Sequence, residues 1–390
     1  MLATARVPNQ QVFFGTNVLA RLSAALDGSV RALQDAVQQS VLDAIAQLGV
    51  GSVEQVLADS DRIVLAANSV MAPLFCGLTP EGLARAPFTA SDVTTCTSGP
   101  LVDAWRSART DDTLSVEVLA PLAAFVGGDA RAVLIATGLA QLPLPVPAAK
   151  KHAEADAEAT ASDAQPSPRD AGTHLLVDLG TNAEILLRVG DTLFVASVPA
   201  GPTFEGLLGA GGAGMRGSDV IVLLAERLRS GAIDASGLIT DTERALPLTQ
   251  TDVRDFQLAK AAVRVGIDLV LEAAEIDPSA LDTFHLVGAF GAALDPAAAR
   301  RLGLFNPALP DPTRWPPTEV APVPETTDAP HPLVGVPGGG ASVNNAALQG
   351  AVAFLLGATD RVEGTLTPLE LATDPAFEGA FIEALSFPSR

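Results

Sequence analysis

One stretch constrains the fold more than any other: Thr173 to Val198, which reads THLLVDLGTNAEILLRVGDTLFVASV. Three apolar runs, THLLVDL, AEILLRV and TLFVASV, are separated by Gly180-Thr181-Asn182 and by Gly190-Asp191, residues suited to tight hairpin turns. The pattern predicts a three-stranded meander. A glycine-rich passage, PAGPTFEGLLGAGGAGMRG, follows it, and DVIVLLAERLRS then reads as a helix. Thr249 to Asp252 matches a capping box with Asp in the place of the usual Glu, and opens the helix RDFQLAKAAVRVGIDLVLEAA. DTFHLVGAFG is a strand ending in a Gly-Ala-Phe-Gly turn, and GVPGGGASVNNAALQGAVAFLLG gives a glycine corner and a closing helix.

Ahead of the meander, up to about Leu139, LARLSAALDGSVRALQDAVQQSVLDAIAQLGV has apolar residues at helical spacing with a break near Asp27-Gly28. DRIVLAANS reads as a short buried strand running into a turn, and LAPLAAFVGGDARAVLIATGL as apolar chain, Gly-Gly corner and helix. Strands alternating with helices make this region α/β. Two low-complexity stretches divide the chain. Gln141 to Gly172 is rich in Ala, Pro and small polar residues, with too few large apolar groups to offset the entropy of ordering it. Asn306 to Pro332 is proline-rich, which denies it backbone donors and favours extended chain; its Trp315 is expected to pack on its own lobe. The expected organisation is a first lobe over 1–140, a flexible linker over 141–172, a second lobe over 173–360 carrying the proline insertion at 306–332, and a C-terminal tail over 361–390.

A chain of 390 residues suggests two such lobes, and at 48% hydrophobic residues it has ample material for a core. Its 24 Lys and Arg against 45 Asp and Glu give a net charge of -21, which repels nucleic acid and anionic membranes, and no local basic stripe compensates. The N-terminus has no signal-like segment and no run reaches the roughly 18 apolar residues needed to span a bilayer, so a cytoplasmic location is expected. Cys76 and Cys96 are far apart rather than in a CxxC pair, whereas an iron-sulfur cluster takes about four thiolates, so no cluster is expected in this chain. His152, His174, His285 and His331 are scattered, none at helical spacing with another ligand, which argues against a histidine-bound metal.

Asp178 stands at the end of the first meander strand, beside the Gly-Thr-Asn turn. Such a corner suits a nucleotide phosphate: turn N-H groups and the Thr181 hydroxyl can meet phosphate oxygens while the carboxylate holds Mg²⁺ through water. An Asp that merely satisfies turn amides gives the same pattern. Further glycine corners follow in order, at Gly201 to Gly206, at Gly288 to Gly291 and at Gly338 to Gly340. A strand ending in Gly-x-x-Gly before a helix can offer backbone to an adenine ring and amides to a phosphate, or can serve close strand-to-helix packing.

In this order, LLVDLGTNAEI, AGPTFEG, GMRG at Gly214 to Gly217, FQLAKAAVRVGIDLVLEAA, HLVGAFG and NNAALQGA resemble the ATPase portion of reductive activators of corrinoid proteins, members of the actin, Hsp70 and sugar-kinase superfold. The first lobe is similar as well, through NQQVFFGTNVLARLS, IVLAANSVMAPLFCGL and LAPLAAFVGGDARAVLIATG. The resemblance implies a two-lobed actin-like ATPase fold with nucleotide in the interlobe cleft, and ATP-dependent reduction of an inactivated Co(II) corrinoid in a methyltransferase system. Carried over by position, Asp178 and Glu184 would be catalytic, with Asp178 on the metal, and Gly180, Thr181 and Asn182 would complete the second phosphate motif. Gly201 and Glu205 fall in the next glycine passage, and Gly288, Ala289, Phe290 and Gly291 in the adenosine motif. Asn344 and Asn345 stand where the family has Gly-Asn, a mild departure because Asn tolerates left-handed backbone. Lys260 falls on the family's helix, where a solvated lysine is an equal reading. The implied cofactors are ATP and Mg²⁺. The implied partners are a corrinoid protein or its methyltransferase and a separate electron-donor protein, with neither nucleic acid nor membrane; a homodimer is left open. The family's N-terminal [2Fe-2S] domain and its first D-x-G-T hairpin have no counterpart in this sequence, so the first lobe is expected to be N-terminally incomplete and nucleotide binding to be weak. Two alternatives stand beside the activator: a catalytically degenerate binding module on the same fold and, with less support, a small-molecule kinase.

Overall fold

The computed structural model describes residues 3–15, 17–141, 172–180, 182–201, 204, 217–245, 247–291, 293–314 and 346–388. The chain divides into two compact units, one of residues 1–140 with 319–362 and one of residues 141–318 with 363–390.

The first unit opens with α1 (Val18–Ala24), started by Asn17, whose side chain accepts the Ala20 N-H. Gly28, at φ 95, breaks the helical run at the expected place, and α2 (Val30–Gln47) follows. Then come α3 (Val53–Ala58), β1 (Val64–Leu65), α4 (Met71–Phe75), β2 (Thr95–Cys96), α5 (Pro100–Arg109), β3 (Val116–Val118) and α6 (Gly128–Thr137). The strands form a small sheet in the order β1-β3-β2, parallel between β1 and β3 and antiparallel between β3 and β2. Trp105 of α5 is buried with Phe75, Leu101, Val102 and Val116, and its indole N-H donates to the Ser60 carbonyl at 3.1 Å.

The second unit begins with the meander. Strands β4 (Thr173–Leu179), β5 (Asn182–Val189) and β6 (Thr192–Pro199) pair antiparallel in continuous register. Then follow α7 (Gly217–Ser230), α8 (Thr242–Ala245), α9 (Gln250–Ala273), β7 (Thr283–Val287), the single turn α10 (Gly288–Gly291), α11 (Pro296–Arg301) and β8 (Thr313–Arg314). The capping box is formed at α9: the Thr249 hydroxyl accepts the Asp252 N-H at 3.2 Å, and Asp252 accepts the Thr249 N-H at 2.8 Å. The sheet order is β8-β7-β4-β5-β6-β9, with β7 parallel to β4, and β9 (Thr365–Pro368) parallel to β6. Alternation along the strands sends Leu175, Val177, Ile185, Leu187, Ala196 and Val198 into the main core. Helix α9 crosses this face at Gly266, where a β-carbon would stand 2.6 Å from Ile185 Cδ1 and 2.9 Å from Val198 Cγ1.

Two assignments differ from the sequence expectation. The helix α12 (Ala346–Leu355), expected in the second lobe, packs on α6 in the first unit. The two meet so closely that a β-carbon on Gly350 would lie 1.7 Å from the Ala132 carbonyl oxygen. The segment expected as a tail over 361–390 is integrated: its first part is β9, and α13 (Pro375–Ala384) lies on α9. Leu371 and Phe387, each 3% exposed, pay for that ordering by burial in the main core. The linker segment 142–171 and the proline-rich segment 315–345, with Trp315, lie outside the described residues. Among the described residues no helix is long and apolar enough to cross a membrane.

Candidate functional site

Asp178 is a strand residue rather than a turn residue. In register it lies opposite Glu184 of β5 on one side and Val287 of β7 on the other. The turn beyond it is closed by the Gly180 N-H, which donates to the Asn182 carbonyl at 2.9 Å. Because side chains alternate, Asp178 and Glu184 project on the face opposite the main core, in line with Leu176 and Leu186. Glu184 is 9% exposed, and Ser197, its partner on β6, directs its hydroxyl to Oε1 at 3.4 Å. The sequence reading missed Ser197, although alternation in TLFVASV puts it on that face. Next along the same face, in register with Leu176, burial and the neighbouring His174 push His285 down to about 4, so it is neutral at physiological pH, and its Nδ1 lies 2.7 Å from the Thr313 hydroxyl.

The next residue beyond β7 completes the corner. Gly288 has φ +80, and a β-carbon there would stand 2.3 Å from Asp178 Oδ1 and 3.2 Å from the Leu179 carbonyl. The Asp178 carboxylate therefore rests against the Gly288 α-carbon, and the two motifs, far apart in sequence, meet through the parallel pairing of β4 and β7. Phe290 turns the other way. It is 7% exposed and stacks on Phe204 with centroids 4.7 Å apart and planes at 27°. That contact joins the AGPTFEG passage to the GAFG turn through the core, so the Phe290 ring is a packing group. Gly291 is close to the end of β7, with a β-carbon position 3.3 Å from the Leu286 carbonyl carbon, as strand-to-helix packing requires. Gly201 also has a left-handed backbone, φ +71, and among the described residues nothing lies within 4 Å of its β-carbon position. Thr181, Glu205, Asn344 and Asn345 are outside the described residues, as is the Ala289 side chain.

Lys260 is not with this group, and it is not solvated. At 1% exposure it donates from Nζ to the Ser386 carbonyl at 2.5 Å, with the Phe387 ring centroid 5.1 Å away. One turn earlier, Gln257 donates to the Leu385 carbonyl at 2.9 Å. Together they tie the chain after α13 to α9. Burial, assisted by Arg264, lowers Lys260 to about 8. An unfolded lysine titrates near 10.4, so between about pH 8 and about 10.4 the unfolded chain binds more protons and stability from this group rises with pH. Below about pH 8 the full cost of the buried charge is present, on the order of 3 kcal/mol at ~1.4 kcal/mol per unit. Chemical denaturation of wild type and Lys260→Met should therefore give a stability difference that moves in favour of wild type as pH rises through that window. A difference independent of pH would show that Lys260 is not held charged in the interior.

The site brought together is thus a pair of acids at the ends of adjacent strands, a hydroxyl beside one of them, and a glycine whose bare backbone faces the other. Acids set against a glycine corner suit a phosphate that arrives with a cation. The six-stranded sheet crossed by α9, with glycine corners at its strand ends, has the actin-like α/β fold, the class to which the ASKHA domain belongs. A family model described as the RACo middle region matches residues 1–142, and one described as the C-terminal domain of RACo, the ASKHA domain, matches residues 172–217 and 239–313. Both models are described as parts of one kind of protein, RACo, and match this chain in that order. It is similar to the corrinoid activation enzyme RamQ of Eubacterium limosum, 27% identical over 95% of this chain and 63% of that protein. The solved structure of a reductive activator for corrinoid, iron-sulfur protein superposes with TM-score 0.68 and 22% identity over 97% of this chain and 61% of that one. The chain thus spans less than two thirds of the length of either relative.

Proposed function

We propose that this chain is the ATPase-like part of an activator that restores an inactivated corrinoid protein of a methyltransferase system by ATP-dependent reduction. The observation that carries the reading is the apposition of Asp178 to Gly288, the two motifs that a nucleotide would bridge, in a chain similar along 95% of its length to a corrinoid activation enzyme. Gly288 lets the Asp178 carboxylate lie directly against the backbone, because that carboxylate occupies the space a side chain would fill. Asp178 and Glu184 fit a Mg²⁺, an ion commonly held by one or two carboxylates together with waters and the nucleotide's own phosphates. ATP, when bound, would supply the driving force for an otherwise uphill electron transfer to cobalt. Asp178 would hold the cation, and Glu184, with the Ser197 hydroxyl on its Oε1, would offer a second carboxylate on the adjacent strand. Electrons come from a separate donor protein or domain, and the partner is the corrinoid protein or its methyltransferase.

Calorimetry with Mg-ATP tests this reading. Wild type is expected to bind, and Asp178→Ala to bind about 10- to 100-fold more weakly, the loss of one charge-assisted contact worth about 1.5–3 kcal/mol. The variant should melt close to wild type, since Asp178 lies outside the main core. Equal affinity in the two forms would reduce Asp178 to a strand-end residue. Capture of a corrinoid protein with no nucleotide binding by wild type would favour the binding-module alternative.

A further inference from the structure

The two cysteines, far apart in sequence, meet in the first unit. Cys76 follows the last residue of α4, and Cys96 ends β2. The Cys96 sulfur is 3.6 Å from the carbonyl oxygen of Phe75, the residue directly before Cys76, and 3.4 Å from that of Ser98. Both side chains belong to one apolar cluster, Cys96 buried within it and Cys76 partly exposed at its edge. The two thiols are near enough for each to set the other's proton affinity.

A rigid polar frame holds them there. Gln38 of α2 donates to the Phe75 carbonyl at 2.8 Å and to the Ser98 carbonyl at 2.9 Å, stands 3.5 Å from the Cys96 sulfur, and accepts the Leu101 N-H at 2.9 Å. Gln34, one turn earlier, bridges the same two carbonyls at 3.3 and 3.0 Å. Gly77 and Gly99, both with positive φ, make room: a β-carbon on the first would stand 2.6 Å from the Gln34 amide oxygen, and on the second 2.5 Å from that of Gln38. Four polar contacts to the backbone beside the two thiols, two of them fully buried, make this a built site rather than two cysteines that fill space.

We propose that Cys76 and Cys96 are a reversible redox pair, which closes to a disulfide linking the end of α4 to β2. The two thiols are unequal. Cys96 is pulled down to about 7, first by the Cys76 thiol, then by hydrogen bonding at Ser98 and Gln38 and by the charge of Arg106, against the opposing effect of burial. Cys76 is pushed up by the Cys96 thiolate beside it and by burial. The partly exposed Cys76 meets the oxidant, a small-molecule disulfide. Its sulfur attacks one sulfur of that disulfide, passes its proton to the Cys96 thiolate and expels one thiolate. Cys96 then attacks the Cys76 sulfur of the mixed disulfide, and its proton leaves with the second small thiol. Two protein sulfurs are oxidised, one external disulfide is reduced to a thiol and a thiolate, and the proton count is unchanged. This pair is separate from the acid corner and does not depend on the reading of that corner.

The test uses the full chain, reduced, freed of reductant and incubated anaerobically with oxidised glutathione. Wild type is expected to lose both thiols together, to yield a Cys76–Cys96 linked peptide on non-reducing digestion, and to recover both with dithiothreitol. Cys96→Ser should instead trap glutathione on Cys76. Wild type that retains glutathione on Cys76, or keeps both thiols free in excess oxidant, would overturn the proposal.

Discussion

Gly288→Ala is expected to abolish nucleotide binding and to cost about 2–4 kcal/mol of stability, the sum of left-handed backbone strain on a β-carbon and displacement of a neighbour. The displaced neighbour is Asp178, whose Oδ1 would be 2.3 Å from the new carbon. The carboxylate must swing away from the one backbone position against which it is set. Gly201→Ala is the matched control: its φ of +71 imposes similar strain, but no atom of the described residues lies within 4 Å of the added carbon. Denaturation should place both variants below wild type, whereas calorimetry with Mg-ATP should show affinity lost in Gly288→Ala and largely kept in Gly201→Ala. Retained affinity in Gly288→Ala would separate Asp178 from the nucleotide.

Gly350→Ala should have the largest effect on stability in the first unit, about 3 kcal/mol or more, beyond the usual range for overpacking because a backbone atom is struck. The obstacle is the Ala132 carbonyl oxygen, 1.7 Å from the added carbon, so no rotamer change relieves it and α12 must move off α6. A shortened first transition in urea and new proteolytic cleavage within 346–355 are the expected readings. An unchanged midpoint would mean that these two helices are not in contact in solution.

These cases separate what sequence can carry from what it cannot. The meander was legible because period-two apolar runs, a Gly-Thr-Asn corner and a Gly-Asp corner are local signals, and the capping box at Thr249 was legible because its two partners stand three residues apart. Asp178 was legible as a candidate, but its contact with Gly288 was not, since it depends on the parallel pairing of β4 with β7 across a long connection. Lys260 reads as an ordinary helical lysine because its acceptor, the Ser386 carbonyl, is 126 residues away. For the same reason the last segment reads as a tail, and Cys76 and Cys96 read as strangers. Helix α12 has an apolar sequence that any core would accept; only the fit of Gly350 against Ala132 assigns it.

The return of α12 has a consequence for how such a protein can be taken apart. The chain passes from one unit to the other after Ala140, after Thr318 and again after Val362. Neither unit is a contiguous stretch of gene. A fragment ending at Ala140 leaves the seam on α6 without its helix, and a fragment beginning at Gln141 carries that helix away to where it has no seat. The boundary that matters for dissection, duplication or domain exchange is therefore not a point in the sequence. Each half must be inherited together with the piece of itself that is written inside the other.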